Sequence, residues 1–122
     1  MSGEEIVARE FVFACGPWLP KLFPKLLGGR IHVTRQEVFF FGSSAEDVWQ
    51  TSPAWIDFND LAYGIPNLDH RGYKIAIDAH GPTFDPDSGQ RVVSESSVAS
   101  VRDYLARRIP SLANAPVIET RV

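Results

Sequence analysis

The sequence is short of cysteine, of basic clusters and of long apolar runs, and each shortage removes a class of protein. Cys15 is the only cysteine in 122 residues, so neither an internal disulfide nor a cysteine-ligated zinc site can form. This points to a reducing, cytoplasmic setting. No run rich in Lys and Arg occurs, and 12 basic residues against 15 acidic ones leave a net charge of -3. A nucleic-acid partner needs clustered positive charge and is therefore not expected. Apolar runs such as Val38 to Phe41 are far too short to cross a bilayer, so no membrane partner is expected either. The start, Met1-Ser2-Gly3-Glu4-Glu5, is acidic and unlike a signal peptide. There is no internal repeat and no low-complexity tract. What remains, 44% hydrophobic and 22% charged, is the composition of a soluble globular chain. Its length suits one domain or part of a larger one.

Ile6 to Ala14 is rich in β-branched and aromatic residues and predicts a buried strand. Gly16-Pro17 breaks it. Trp18, Leu19, Leu22, Phe23, Leu26 and Leu27 then predict a helix with an apolar face. Pro20 and Pro24 make that helix short or kinked, because a prolyl ring removes a donor and clashes with the preceding turn. Gly28-Gly29 is expected to end it with a left-handed cap. Ile31 to Phe41 reads as a second strand, and residues 42–53 as a loop. Ala54 to Phe58, Leu61 to Ile65 and Gly72 to Ile77 read as a meander of three short strands. Asn59-Asp60 and Asn67-Leu68-Asp69 are the turns between them.

Residues 81–90 form another loop. Asp85-Pro86-Asp87-Ser88-Gly89 is read as a tight turn, since it lacks the other ligands of a calcium loop. Ser96 or Ser97 is the expected cap of a helix carrying Val98, Val101, Leu105 and Ile109, with Arg107 and Arg108 in its last turn. Pro110 ends that helix, and Ala115 to Val122 alternates as a final strand. Both ends of the chain read as cut rather than finished. The order of elements predicts an α+β fold: a largely antiparallel sheet with flanking helices. His32, His70 and His80 lack metal-ligand spacing, and Ser43, Ser88 and Ser94 lack a nucleophile elbow.

Three segments together resemble one family. Ala14-Cys15-Gly16-Pro17-Trp18-Leu19-Pro20-Lys21-Leu22 resembles the strand-Gly-x-Trp-helix segment of FAD-dependent amine oxidoreductases, the branch with monomeric sarcosine oxidase and N-methyltryptophan oxidase. Arg35-Gln36 and the apolar strand after it resemble that family's first substrate-domain strand. Tyr63-Gly64-Ile65-Pro66, then Gly72-Tyr73-Lys74-Ile75-Ala76, Gly81 and Asp85-Pro86-Asp87 resemble its Tyr-Gly-x-Pro, Lys-Ile-Gly and Asp-Pro-Asp series, in the same order. The resemblance implies that residues 1–29 close an FAD-binding domain and that residues 30–122 form an incomplete substrate domain. It also implies an internal piece of a larger enzyme, inactive by itself. The family's Gly-x-Gly-x-x-Gly fingerprint, which seats the pyrophosphate at a helix start, does not occur in this sequence.

The same resemblance assigns roles. Lys74 becomes the lysine beside the flavin that promotes its reaction with oxygen, because a fixed ammonium stabilises the charge that develops on oxygen. By pattern alone it is a lysine on the solvent face of an alternating strand. Tyr63 becomes a wall of the cavity for a small amine or amino-acid substrate, or else ordinary strand packing. The family's histidine four residues after the lysine is Asp78 here, and His80 follows two residues later on the same face of an extended chain. Those residues either bind substrate or mark a polar strand exit. Arg35 is a candidate for a substrate carboxylate or for a structural ion pair. Gly16 and Trp18 are candidates for contact with FAD, Trp18 also for a core anchor. The expected reaction oxidises the C–N bond of a secondary or primary amine, with oxygen as acceptor or, in a close dehydrogenase variant, another electron acceptor. The competing expectation is a non-catalytic α+β ligand-binding or interaction domain. Exposure of Phe11, Phe13 and Val117 is the feature that separates the two.

Overall fold

The computed structural model of the protein describes residues 3, 5–42, 51–66 and 70–122. Among these, β1 Val38–Phe41, β2 Trp55–Asp57, β3 Ala62–Ile65, β4 Tyr73–Ile77 and β5 Val117–Arg121 form one sheet, ordered β2-β3-β4-β1-β5. Every neighbouring pair is antiparallel. The expected α+β class with flanking helices is the fold adopted, and β2, β3 and β4 form the expected meander.

Register decides what each face carries. Phe39 lies opposite Ile75, Phe41 opposite Tyr73, and Ala62 opposite Ile77. Side chains alternate between faces along a strand, so these share one face. Val38, Phe40, Tyr63, Ile65, Lys74 and Ala76 take the other. Helix α3, Glu95–Arg108, packs Val101, Tyr104 and Leu105 on the first face, joined by Ile109 and Leu112. Removing each such side chain from water contributes about 1.5–3 kcal/mol before the entropy of ordering is subtracted. Trp55 stacks on Tyr104 with ring centroids 5.9 Å apart and donates its indole N–H to the Tyr73 hydroxyl. Gly64 makes room for that indole, since a Cβ there would sit 2.5 Å from the ring. The Tyr104 hydroxyl reaches Asp57 at 3.3 Å, and burial pushes its pKa up to about 12.

The cap of α3 is Ser94 rather than Ser96 or Ser97: its hydroxyl accepts the Ser97 amide at 3.1 Å. A capping side chain reaches the amide three residues ahead. Arg107 and Arg108 fill the last turn as expected, and Pro110 opens a further short helix, α4 Pro110–Ala113.

Near the amino terminus a 3₁₀ turn, Gly16–Trp18, leads into α1 Leu19–Leu22 and α2 Pro24–Leu27. The break falls at Phe23, ahead of Pro24, where a helical conformation is disfavoured. Gly28 keeps a right-handed φ of -58° instead of the expected left-handed cap. Residues 6–14 do not form the expected strand. They have no ladder partner among the described residues, and a lone strand leaves its backbone groups unpaired. The strand expected over 31–41 is regular only at Val38–Phe41, with one isolated bridge from Thr34 to Thr83. Between them, Arg35 and Gln36 spend their donors on the carbonyls of Val92 and Ala79. Most of the expected loop 42–53 and the turn 67–69 lie outside the described residues. No helix among the described residues is long and apolar enough to cross a membrane.

Candidate functional site

The face turned away from α3 holds the sharpest of the sequence candidates. Lys74 sits on β4 opposite Phe40 of β1 and Ile65 of β3. Its ammonium lies 5.3 Å from the centre of the Tyr63 ring. Such contacts favour a cation by about 0.5–1 kcal/mol near water. The side chain is half-buried and makes no ion pair with a carboxylate among the described residues.

Two arginines that the sequence reading missed complete this face. The guanidiniums of Arg71 and Arg121 lie 4.7 Å and 5.9 Å from the centre of the Phe40 ring. Glu119, opposite Phe40 on β5, holds both. Arg71 donates to it through Nε at 3.3 Å and a terminal nitrogen at 2.7 Å, and Arg121 through Nε at 2.7 Å. Those bonds, Arg71 first, keep the Glu119 carboxyl below its usual range. Gly72, with φ +83°, makes the turn into β4 just after Arg71; a side chain there would meet the Phe41 carbonyl. A hollow of about 260 Å³ opens between Phe40, Ile65, Pro66, Arg71, Lys74 and Arg121. The period-two spacing of Glu119 and Arg121 was a usable signal. Arg71 had none, because only the fold brings it to β5.

The other candidates lie elsewhere. Arg35 and His80 line a different cavity of about 440 Å³, beside the start of α3. Arg35 pairs with Glu37 and donates to the Val92 carbonyl, while Glu37 accepts the Ser94 amide at 3.3 Å. This arrangement ties β1 to the start of α3, so Arg35 acts as a staple there. Asp78 is exposed just past β4, and its amide donates to the Leu61 carbonyl. Lys74 and Tyr63 are thus brought together, Arg35 and His80 are together elsewhere, and Asp78 lines neither cavity.

Gly16 takes φ +46° with open space where a Cβ would stand. The Trp18 indole donates to Asp87 at 2.7 Å, and Lys21 pairs with both Asp85 and Asp87. The Lys21 bond holds the Asp85 carboxyl down at about 2. The Asp87 amide closes on Asp85 at 2.9 Å, which is the tight turn expected for this stretch. No sequence signal linked Trp18 and Lys21 to a turn more than sixty residues away.

Among the described residues no group of three or more His, Cys, Asp or Glu side chains is placed to hold a metal ion. In comparisons with known proteins, no family model and no curated protein matches the chain.

Proposed function

We propose that this chain is part of an FAD-dependent amine oxidoreductase and contributes the substrate-side wall of its active site. One observation carries the reading: an ammonium without a carboxylate partner among the described residues, Lys74, is held half-buried against the ring of Tyr63 on the sheet face away from α3. The motif series of the sequence leads to these two residues, and the fold gives them one surface.

The residues fit a flavin only in part. The rings of Phe40 and Tyr63 and the charge of Lys74 suit the neighbourhood of a flat, electron-accepting group. The nucleotide end has no Gly-x-Gly-x-x-Gly here and would be held by residues outside this sequence. On this reading residues 1–29 belong with the cofactor domain and residues 30–122 with the substrate domain. A bound FAD would supply the two-electron acceptor for oxidation at the amine's α-carbon, with oxygen as the final acceptor. Lys74 holds a positive charge where negative charge grows on oxygen. Tyr63 walls the amine site and covers one side of that ammonium. Products are an imine and hydrogen peroxide.

Phe11 and Phe13 are 58% and 53% exposed, as a chain that docks on a further domain requires. Val117 instead packs against the core. That closed core favours the second reading, a non-catalytic α+β binding domain. The test is the protein extended to include its cofactor domain. It should be yellow and consume oxygen with an amine. Lys74→Met should slow reoxidation of the reduced flavin at least tenfold more than its reduction by amine. Equal slowing of both half-reactions rejects the role of Lys74, and a colourless protein rejects the class.

A further inference from the structure

The hollow on the Lys74 face has a charge that the oxidase reading uses only at Lys74. Lys74, Arg71 and Arg121 bring three cations to it, and among the described residues Glu119 is the one carboxylate bonded to them, which leaves these four side chains with a net charge of plus two. Glu119 engages Nε of each guanidinium. Each guanidinium carries five N–H donors, so both keep donors beyond those that Glu119 uses. Arginine forks suit oxyanions because two parallel N–H groups match two oxygens. The remaining walls, among them Val38, Phe40, Ile65 and Pro66, are apolar. Glu119 and Phe40 also fix the guanidiniums, so little side-chain freedom is left to lose on binding.

We propose that this hollow binds a small organic dianion, a dicarboxylate or a phosphate monoester, with its charge on Arg71, Arg121 and Lys74 and its carbon body against Phe40 and Ile65. The site shares Lys74 with the flavin reading but needs only residues of this chain.

The test uses the 122-residue chain without flavin, at physiological salt, where loose surface attraction is screened. Succinate, methyl phosphate and acetate are titrated separately while amide and arginine side-chain NMR shifts are followed. Succinate or methyl phosphate should bind at least tenfold tighter than acetate, with the largest shifts at Phe40, Arg71, Lys74 and Arg121. Whichever of the two wins identifies the source of the charge. Less than tenfold preference for both, or shifts centred elsewhere, overturns the proposal. Arg121 is a suitable residue to change because its side chain is 60% exposed. Arg121→Gln and Lys74→Gln should each weaken the preferred dianion about tenfold. Unchanged affinity in both variants also overturns it. Failure here leaves the amine-oxidation test untouched, and failure of that test leaves this one untouched.

Discussion

The two faces of the sheet come from the same strands and do opposite work. Towards α3, Phe39, Phe41, Tyr73, Ile75 and Leu105 are buried and their value lies in shape. Away from α3, Phe40 is buried too, but partly beneath two guanidiniums, and its cross-strand neighbours are Lys74 and Glu119. One register thus yields a face that resists change and a face whose charges remain available. A one-residue slip of β4 would exchange them, burying Lys74 under the helix.

Leu105→Ala is the harshest way to break the first face. It should cost about 2–5 kcal/mol in denaturant unfolding, because it leaves a cavity against fully buried neighbours. Ser94→Ala should cost about 1 kcal/mol by removing the cap of the covering helix, and the loss should fall on the same face. Lys74→Met should cost no more than about 1 kcal/mol, since it removes the contact with the Tyr63 ring but no packed apolar group and, among the described residues, no ion pair. A cost above about 2 kcal/mol would make Lys74 a structural residue and end the contrast.

Titration should separate the faces by sign. The folded pKa of Glu119 is depressed, so its contribution is complete above the unfolded value near 4.5 and is lost as pH falls through the folded value. The folded pKa of Tyr104 is raised, so its contribution is complete below 10.0 and is lost as pH climbs towards about 12. NMR shifts around Arg71 and Arg121 should therefore move first in acid. Those around Trp55, which stacks on Tyr104, should move first in alkali. Simultaneous movement of both sets at either extreme would mean that the faces do not respond independently.

The meander, α3 and β5 were legible because alternation and helical spacing are local patterns. Ala62 to Ile65 and Val117 to Arg121 each show them within a few residues. Residues 6–14 misled because β-branched and aromatic content signals a strand only where a partner exists. The pairing of Lys74 with Tyr63 could be expected from their motifs. The convergence of Arg71, Glu119 and Arg121 could not, because Arg71 and Glu119 stand 48 positions apart and meet only when β5 returns beside β1. The Arg35 staple likewise depends on a carbonyl 57 positions away.

The seat of β5 beside β1 has one more consequence. Val38-Phe39-Phe40-Phe41 is an uncharged, aromatic segment whose second edge is closed by β5, a strand bearing Glu119 and Arg121. Without that strand the segment would present bare amides and carbonyls to any other chain. The last strand therefore works as a gatekeeper against self-association, and deleting residues 116–122 should turn a dispersed protein into one that forms β-rich aggregates.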